Sequence, residues 1–458
     1  MEDTGDSQSQ RSQIRHFKWR SSKWFIISTI TLALFSETFL YAFILPILNY
    51  MLENRLQIDH SKQQAASSII LAIHGAVSVI AGPIIGRFTD KSHIRKMPLL
   101  ISLLGCIIGT VLIACAHSIL VLLLGRVLQA LAGSAAWIIG YATIADTADQ
   151  RNLPRIMGIT MSVVNVAVVG GPAISGLLLD YAGYWMTWLV PLVILVIDLV
   201  ARVLMVQEPP IHFSMPDTET IGSEEEAEPT ETTGLLSSDG DSHIQSTTGF
   251  WRVICHDSRV LTVLFLQVSS ITVGTCFNAT IPLHVQETFG WGPGVIGGIF
   301  SCLSLPVLLI GPLAGWVQGR IGAKYPAVVS LILQAGVLIL LGLAGTERIP
   351  WFSAQRHGGT IYIVSIIAMG VLRPFMTGLG PVELTAAVED HQEKTPGAFG
   401  PEGGLSRVFA LVETVSSIGM IIGPMLGGAL KELAGYDCMS WTWSRWLALA
   451  LLYHSNFF

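Results

Sequence analysis

The amino-acid sequence predicts an all-α polytopic membrane protein with about twelve transmembrane helices in two pseudo-symmetric bundles of six. Three observations support this fold class. Only 13% of the 458 residues are charged, whereas ordinary soluble domains carry about 25%. Apolar runs long enough to cross a bilayer recur along the chain. A single long polar stretch divides these runs into two groups of six.

The predicted helices follow the apolar runs in order. They lie near 24–48, 67–86, 97–116, 119–143, 156–179, 184–206, 260–282, 294–317, 325–345, 360–381, 406–430 and 441–453. Lys and Arg concentrate in the segments that are cytoplasmic if the N-terminus is inside, so the positive-inside rule places both termini in the cytoplasm. The predicted domains are a cytoplasmic tail (1–23), an N-terminal bundle (24–206), a cytoplasmic acidic linker (207–258) and a C-terminal bundle (259–458).

The linker and the last helix are the least regular parts of this scheme. The linker is acidic and rich in Ser, Thr and Gly, so it cannot bury a core and we expect disorder there. The last apolar run, from Trp441 to Tyr453, is shorter than the roughly 20 residues that a spanning helix needs. Either the twelfth helix is short and tilted, or the chain is a truncated gene product.

A strongly charged segment follows the second predicted helix. Gly86, Asp90, Lys91, Arg95 and Lys96 lie between two apolar runs, so this segment is predicted to form a tight loop at a membrane face. Its excess of basic residues places that face in the cytoplasm.

Four of the ionisable residues inside predicted helices are candidates for a functional role. Glu37 and Glu413 occupy similar positions in the first and eleventh helices, while His74 and Arg126 lie in the second and fourth. An intramembrane charge is costly unless it is paired or neutralised, so such residues are functional candidates by default. We interpret Glu37 and Glu413 as proton or substrate carriers and expect Arg126 to pair with Glu37. For His74, a packing role and proton sharing with Glu37 both stay open.

Other intramembrane residues have structural interpretations. Asp198 and Arg202 are four apart in the sixth helix and can pair on one face. Glycine–proline clusters occur in the fifth and eleventh helices, where small residues permit close helix contact and proline bends the axis. They comprise Gly171, Pro172 and Gly176 in the fifth, and Gly419, Gly423, Pro424, Gly427 and Gly428 in the eleventh. Such paired clusters indicate symmetric elements at a moving interface.

These motifs resemble the major facilitator superfamily, in particular its drug:proton antiporter branch and vesicular amine transporter-like members. The resemblance implies a gate role for Gly86, Asp90, Lys91, Arg95 and Lys96. It also matches Gly419–Gly428 to the antiporter motif and Arg126 with Gln129 to the fourth-helix motif of that branch. Glu37 and Glu413 stand where amine transporters carry aspartates. Asn278 and Thr377 stand where those transporters carry acids, so the resemblance leaves the substrate unidentified.

The leading hypothesis is a proton-coupled antiporter of a small organic compound, with a drug-like cation as one candidate, that works by alternating access. Alternatives are a facilitator or proton symporter for uptake, and a non-transporting sensor or truncated product. The expected membrane is the plasma membrane or a vacuolar or endosomal membrane. The expected partners are substrate, protons and lipid, without nucleic acid, and the protein is expected to be a monomer. The sequence shows no nucleotide loop, metal cluster or nucleophile–base pairing, so neither an enzyme, a cofactor nor a bound metal is predicted.

Overall fold

The computed structural model describes residues 19–91, 96–148, 152–206, 258–322, 324–347, 349–377 and 405–457. These residues are almost entirely helical, and eleven of their segments are long and apolar enough to cross a membrane. The predicted all-α membrane fold is therefore confirmed. The predicted N-terminal tail and acidic linker lie, except for a few flanking residues, outside the described residues.

The N-terminal half contains six helices. They are α1 (Lys23–Tyr50, continued by a π-helical turn Met51–Arg55), α2 (His60–Lys91), α3 (Lys96–Ala114), α4 (Ile119–Thr147), α5 (Leu153–Ala182) and α6 (Tyr184–Leu204). Each follows a predicted apolar run closely, because hydropathy over about 20 residues is a strong signal. Helix α2 is the exception, since it begins a full two turns before its apolar run.

The C-terminal half begins with four separate helices. They are α7 (Ser258–Phe289), α8 (Pro293–Ile321), α9 (Lys324–Leu343) and α10 (Gly359–Leu372), the last preceded by a π-helical turn Ala354–Gly358 and followed by a short turn Pro374–Thr377. One long helical segment, Leu405–Phe457, completes the chain.

The long final segment is two helices. Gly435 interrupts it with a φ of 89°, a left-handed conformation that glycine adopts without strain. We therefore divide the segment into α11 (405–434) and α12 (436–457). At 1.5 Å per residue α12 is about 33 Å long, enough to cross a bilayer. It begins five residues before the predicted run.

Successive helices alternate in direction and so define two faces of the molecule. The ends that flank residues 207–257, Leu204 and Ser258, lie at what we call the linker face. Arg20 donates to the Leu204 carbonyl (2.6 Å), which brings the start of α1 to the same face. The turns between α1 and α2 and between α7 and α8 lie at the opposite face, here called the distal face.

The two halves contact each other mainly through two helix pairs. Helix α5 packs on α8, and α2 packs on α11. Within the N-terminal half α1 packs on α4, α5 and α6, and within the C-terminal half α7 packs on α11. Large apolar side chains such as Ile101, Leu309 and Leu449 stay exposed on the outside, where they would face lipid.

The predicted charged loop is partly helical. Helix α2 continues through Gly86 and Asp90 to Lys91, because no helix-breaking residue separates them from the apolar run. Arg95 lies outside the described residues. Lys96 starts α3 and its Nζ donates to the Val203 carbonyl at 3.0 Å, which ties α3 to the end of α6 at the linker face.

Candidate functional site

A cavity of about 140 Å³ lies between the two halves. Helices α1 and α5 form one wall, and α7, α8 and the end of α10 form the other. The lining residues are Tyr41, Ala42, Leu45, Val168, Pro172, Ile271, Gly274, Thr275, Asn278, Phe300, Leu303, Ser304 and Arg373. A mostly apolar wall with a few polar groups is the usual composition of a small-molecule site.

Tyr41 connects this cavity with three of the predicted site residues. The ring of His74 is 4.9 Å from the Tyr41 ring, centroid to centroid. The guanidinium carbon of Arg126 lies 5.7 Å from the same Tyr41 centroid. Asn278, from the other half, lies beside the Tyr41 phenol and lines the cavity. Tyr41 was not predicted as a site residue, although it lies one helical turn after Glu37.

Arg126 is deeply buried, with 1% of its surface exposed. Its Nη1 donates to Gln129 at 3.1 Å, and Gln129 in turn donates to Thr110 at 2.9 Å. Within the described chain, Nε and Nη2 of Arg126 have no hydrogen-bond partner. A buried guanidinium with two unused donors is costly and can accept a ligand.

Glu37 faces the interior of the N-terminal half instead of the cavity. Its Oε2 accepts a hydrogen bond from the Cys106 thiol at 3.3 Å, and a Cβ added at Gly133 of α4 would overlap its carboxylate. The expected ion pair with Arg126 is not formed. Glu37 meets α4 at Gly133, whereas Arg126 lies seven residues, or about 10 Å, earlier in that helix.

The predicted pair in α6 is formed and lies near Glu37. Arg202 donates through Nε and Nη2 to the two carboxylate oxygens of Asp198, at 3.0 and 2.7 Å. Its Nη1 donates to the Leu99 carbonyl of α3 at 2.6 Å. Asp198, Arg202 and Glu37 border the same small gap among α1, α3 and α6. All donors and acceptors of this pair serve helix packing.

Glu413 lies in the first turns of α11, towards the linker face, and its side chain is exposed. It is within electrostatic range of Tyr141, from α4 of the other half. It does not line the described cavity, so the structure does not bring Glu413 and Glu37 together. Glu413 and Glu37 were predicted at similar positions, but their surroundings differ: Glu413 is exposed and Glu37 is buried.

Arg373 is a cavity residue for which the sequence predicts no role. A Cβ added at Gly274 of α7 would lie 2.7 Å from its Nη2, so the guanidinium lies directly on that glycine. No described residue forms an ion pair or side-chain hydrogen bond with Arg373. The sequence signal for it was a charge within the apolar run of α10.

The glycine–proline cluster of α5 contacts two different helices. A Cβ added at Gly171 would lie 3.1 Å from the Ala42 side chain of α1, in the same half. A Cβ added at Gly176 would overlap the Pro293 carbonyl of α8, in the other half. In return, a Cβ at Gly297 of α8 would overlap the Pro172 carbonyl.

The cluster of α11 repeats this arrangement. Three of its glycines, Gly419, Gly423 and Gly427, pack on α7 of the same half, and Pro424 is buried between them. A Cβ added at Gly428 would instead overlap the Ser68 hydroxyl of α2, in the other half. Both clusters therefore join the first helix of their own half to the opposite half.

Among the described residues, several polar contacts between the halves lie towards the distal face. Gln286 of α7 donates to Glu53 at 2.9 Å, and Gln64 of α2 donates to the Ala279 carbonyl at 3.1 Å. The backbone N–H of Gly294 donates to Asp180 at 2.7 Å. The cavity is thus closed on the distal side. Among the described residues, no group of His, Cys, Asp and Glu could hold a metal ion.

Comparison with known proteins identifies the family. The sequence profile of the Major Facilitator Superfamily matches residues 30–390. The chain belongs to this superfamily. An "uncharacterized MFS-type transporter C18.02" of Schizosaccharomyces pombe is 28% identical over 91% of each chain. The vesicular acetylcholine transporter of Drosophila melanogaster is 21% identical over 83% of this chain and 58% of its own length.

The fold is also similar to that of a transporter of known structure. A solved structure of a POT family transporter superposes with a TM-score of 0.68 at 14% identity, covering 93% of this chain and 94% of that one. At this identity the likeness concerns the fold alone. The chain is accordingly an integral membrane transporter of the major facilitator superfamily and not an enzyme, and the resemblance found in the sequence is confirmed.

Proposed function

We propose that this superfamily member is a proton-coupled antiporter that moves a small organic compound by alternating access. The observation that carries the proposal is the cavity between the halves, which is closed towards the distal face. Its lining residue Tyr41 is one turn of α1 away from the buried Glu37. Rocking of the halves on the α5–α8 and α2–α11 contacts would open the cavity to each face in turn.

Glu37 is the proposed proton carrier. It is 7% exposed and accepts a hydrogen bond only from Cys106 among the described residues, so it can exist in a neutral form without losing an ion pair. Tyr41, one turn away, links its helix to the cavity. Glu413, which is exposed towards the linker face, is proposed to take up or release the proton on that side. The linker face is proposed to be cytoplasmic, and the membrane to be the plasma, vacuolar or endosomal membrane.

The test is proton movement in vesicles. Purified protein in acid-loaded proteoliposomes receives a panel of organic cations, neutral drugs and organic acids while a trapped pH dye reports the interior. We expect at least one compound to release protons, and Glu37→Gln to abolish the release because the carried proton is lost. Glu432→Gln, the same change at an exposed site of α11, is the matched control.

Two results would contradict the proposal. One is proton release by Glu37→Gln at the rate of the parent protein. The other is a well-folded protein that exchanges labelled substrate across the vesicle membrane while the interior pH stays constant, which indicates facilitated diffusion. Folding of each variant is checked by its unfolding temperature, so that a lost signal is assigned to chemistry only when that temperature is retained.

A further inference from the structure

The described lining of the central cavity carries a positive charge and no negative charge. Arg373 is the one charged residue in the described lining, which contains no aspartate or glutamate. Its guanidinium lies on Gly274 and has no ion-pair partner among the described residues. The hydroxyls of Tyr41 and Ser304 and the amide of Asn278, which also line the cavity, can all donate hydrogen bonds.

A second arginine reinforces this charge from the other half. Arg126 lies over the Tyr41 ring and keeps two buried donor atoms without partners in the described chain. Tyr41 adjoins Asn278, and Asn278 is one turn of α7, about 6 Å, from Gly274. Arg373 beside Gly274 thus lines the cavity in one half, and Arg126 lies against Tyr41, a lining residue of the other half, without lining the cavity itself.

No described carboxylate forms an ion pair with either arginine, although Glu37 is within electrostatic range of Arg126. Glu37 accepts from Cys106 within the N-terminal half, and Asp198 is fully engaged by Arg202. Glu413 is exposed in α11 and does not line the cavity. A guanidinium among apolar residues is stabilised by an anion, and its planar fork matches a carboxylate.

We propose that the substrate is a small organic acid whose carboxylate binds Arg373, with Tyr41, Asn278 and Arg126 completing the positive side of the site. The inference rests on the transport function proposed above and specifies the charge of its substrate. Because Arg373 and Tyr41 line the cavity from opposite halves, an anion bound to both would also draw the halves together around it, which couples occupancy to the conformational change.

The test compares molecules that differ in charge but hardly in shape. Purified protein in lipid nanodiscs is heated with benzoate, benzamide or benzylamine, and with pentanoate, pentanamide or pentylamine. A ligand that binds the folded state raises the unfolding temperature. We expect the acids to raise it and the amides and amines to leave it unchanged. Arg373→Gln should weaken acid binding about tenfold or more, because a charged hydrogen-bond donor is lost.

Two further variants control this result. Arg320→Gln removes an exposed arginine that stacks on Trp316 (4.3 Å) at the end of α8, and should bind the acids as the parent does. Asn278→Asp preserves side-chain size but adds a negative charge beside Tyr41, and should abolish acid binding. If Arg373→Gln does not fold, the loss of acid binding in Asn278→Asp tests the inference in its place.

Three outcomes would overturn the inference: stabilisation by the amines equal to that by the acids, acid affinity that is the same in Arg373→Gln and Arg320→Gln, or no stabilisation by either acid. The measurement is independent of proton coupling. Arg373-dependent acid binding without proton movement in the vesicle assay would keep this inference and remove the antiport proposal, and proton exchange driven by amines would do the reverse.

Discussion

At the scale of single residues, the buried ion pair of α6 is sensitive to the loss of either partner. Asp198 and Arg202 are 0% and 3% exposed and hold each other through two hydrogen bonds. We expect Arg202→Met to destabilise the protein by about 3–5 kcal/mol, because it leaves the Asp198 charge buried and unpaired. Urea or thermal unfolding in micelles measures the change.

The control for this pair is the double replacement. Asp198→Asn with Arg202→Met removes both charges, so its cost should be clearly smaller than that of Arg202→Met alone. Equal costs for the single and double variants would mean that the lost contact to the Leu99 carbonyl, and not the unpaired charge, dominates.

Individual residues also mark the limit of prediction from sequence. Spacing four apart on one helix was enough to predict the Asp198–Arg202 pair. The pairing of Glu37 with Arg126 could not be judged in this way, because it depends on the relative height and rotation of two helices. Close packing of Gly133 against Glu37 sets that height. Arg373 illustrates the same limit, since its neighbour Gly274 lies about a hundred residues earlier.

At the scale of elements, the crossing of α5 and α8 depends on glycine. Gly176 and Gly297 let the two backbones touch, so that an added Cβ on either would overlap a carbonyl of the other helix. We expect Gly297→Ala to cost about 1–3 kcal/mol of stability, because the helices must move apart. The neighbouring Gly298→Ala is an exact chemical control, since a Cβ there meets nothing within 4 Å.

The two alanine variants should therefore change stability in opposite directions. Gly298→Ala should stabilise by up to about 1 kcal/mol, since alanine favours a helix more than glycine does. Unfolding temperatures of both variants and the parent measure the difference. A loss of stability in Gly298→Ala as large as in Gly297→Ala would contradict the close-contact explanation.

Elements differ in how well hydropathy predicts them. The apolar runs predict α3, α4 and α6 within a few residues, because most lipid-facing and most core-facing residues are apolar there. At the distal ends of α2 and α7 the helices continue into polar sequence that contacts the other half, such as Gln64 and Gln286. Hydropathy does not record such polar extensions. The same holds for Gly86–Lys91, a charged segment that stays helical.

At the scale of the whole molecule, closure of the distal face is the feature that alternating access must reverse. Glu287 of α7 forms an ion pair with Lys431 of α11 at 3.1 Å and lies 3.8 Å from His60 of α2, across the halves. Gln286, its neighbour, donates to Glu53 of α1 at 2.9 Å. Each contact is partly exposed and therefore weak, but together they hold α7 against α1 and α2.

The combined change Glu53→Ala and Glu287→Gln should shift the molecule towards an open distal face, because it removes both bridges without changing the cavity. Spin labels at exposed positions 62 and 295, at the distal ends of α2 and α8, would report a longer distance by pulsed electron resonance. Asp59→Asn, which removes only an exposed pair with Lys62 inside one half, should leave the distance distribution unchanged when labels are placed at the exposed positions 295 and 69 instead. If the double change leaves the distances as they are in the parent, the packing of α5 on α8 and of α2 on α11 holds the distal face closed without these bridges. Opening of the distal face must then proceed by separation at the glycine contacts of those helix pairs.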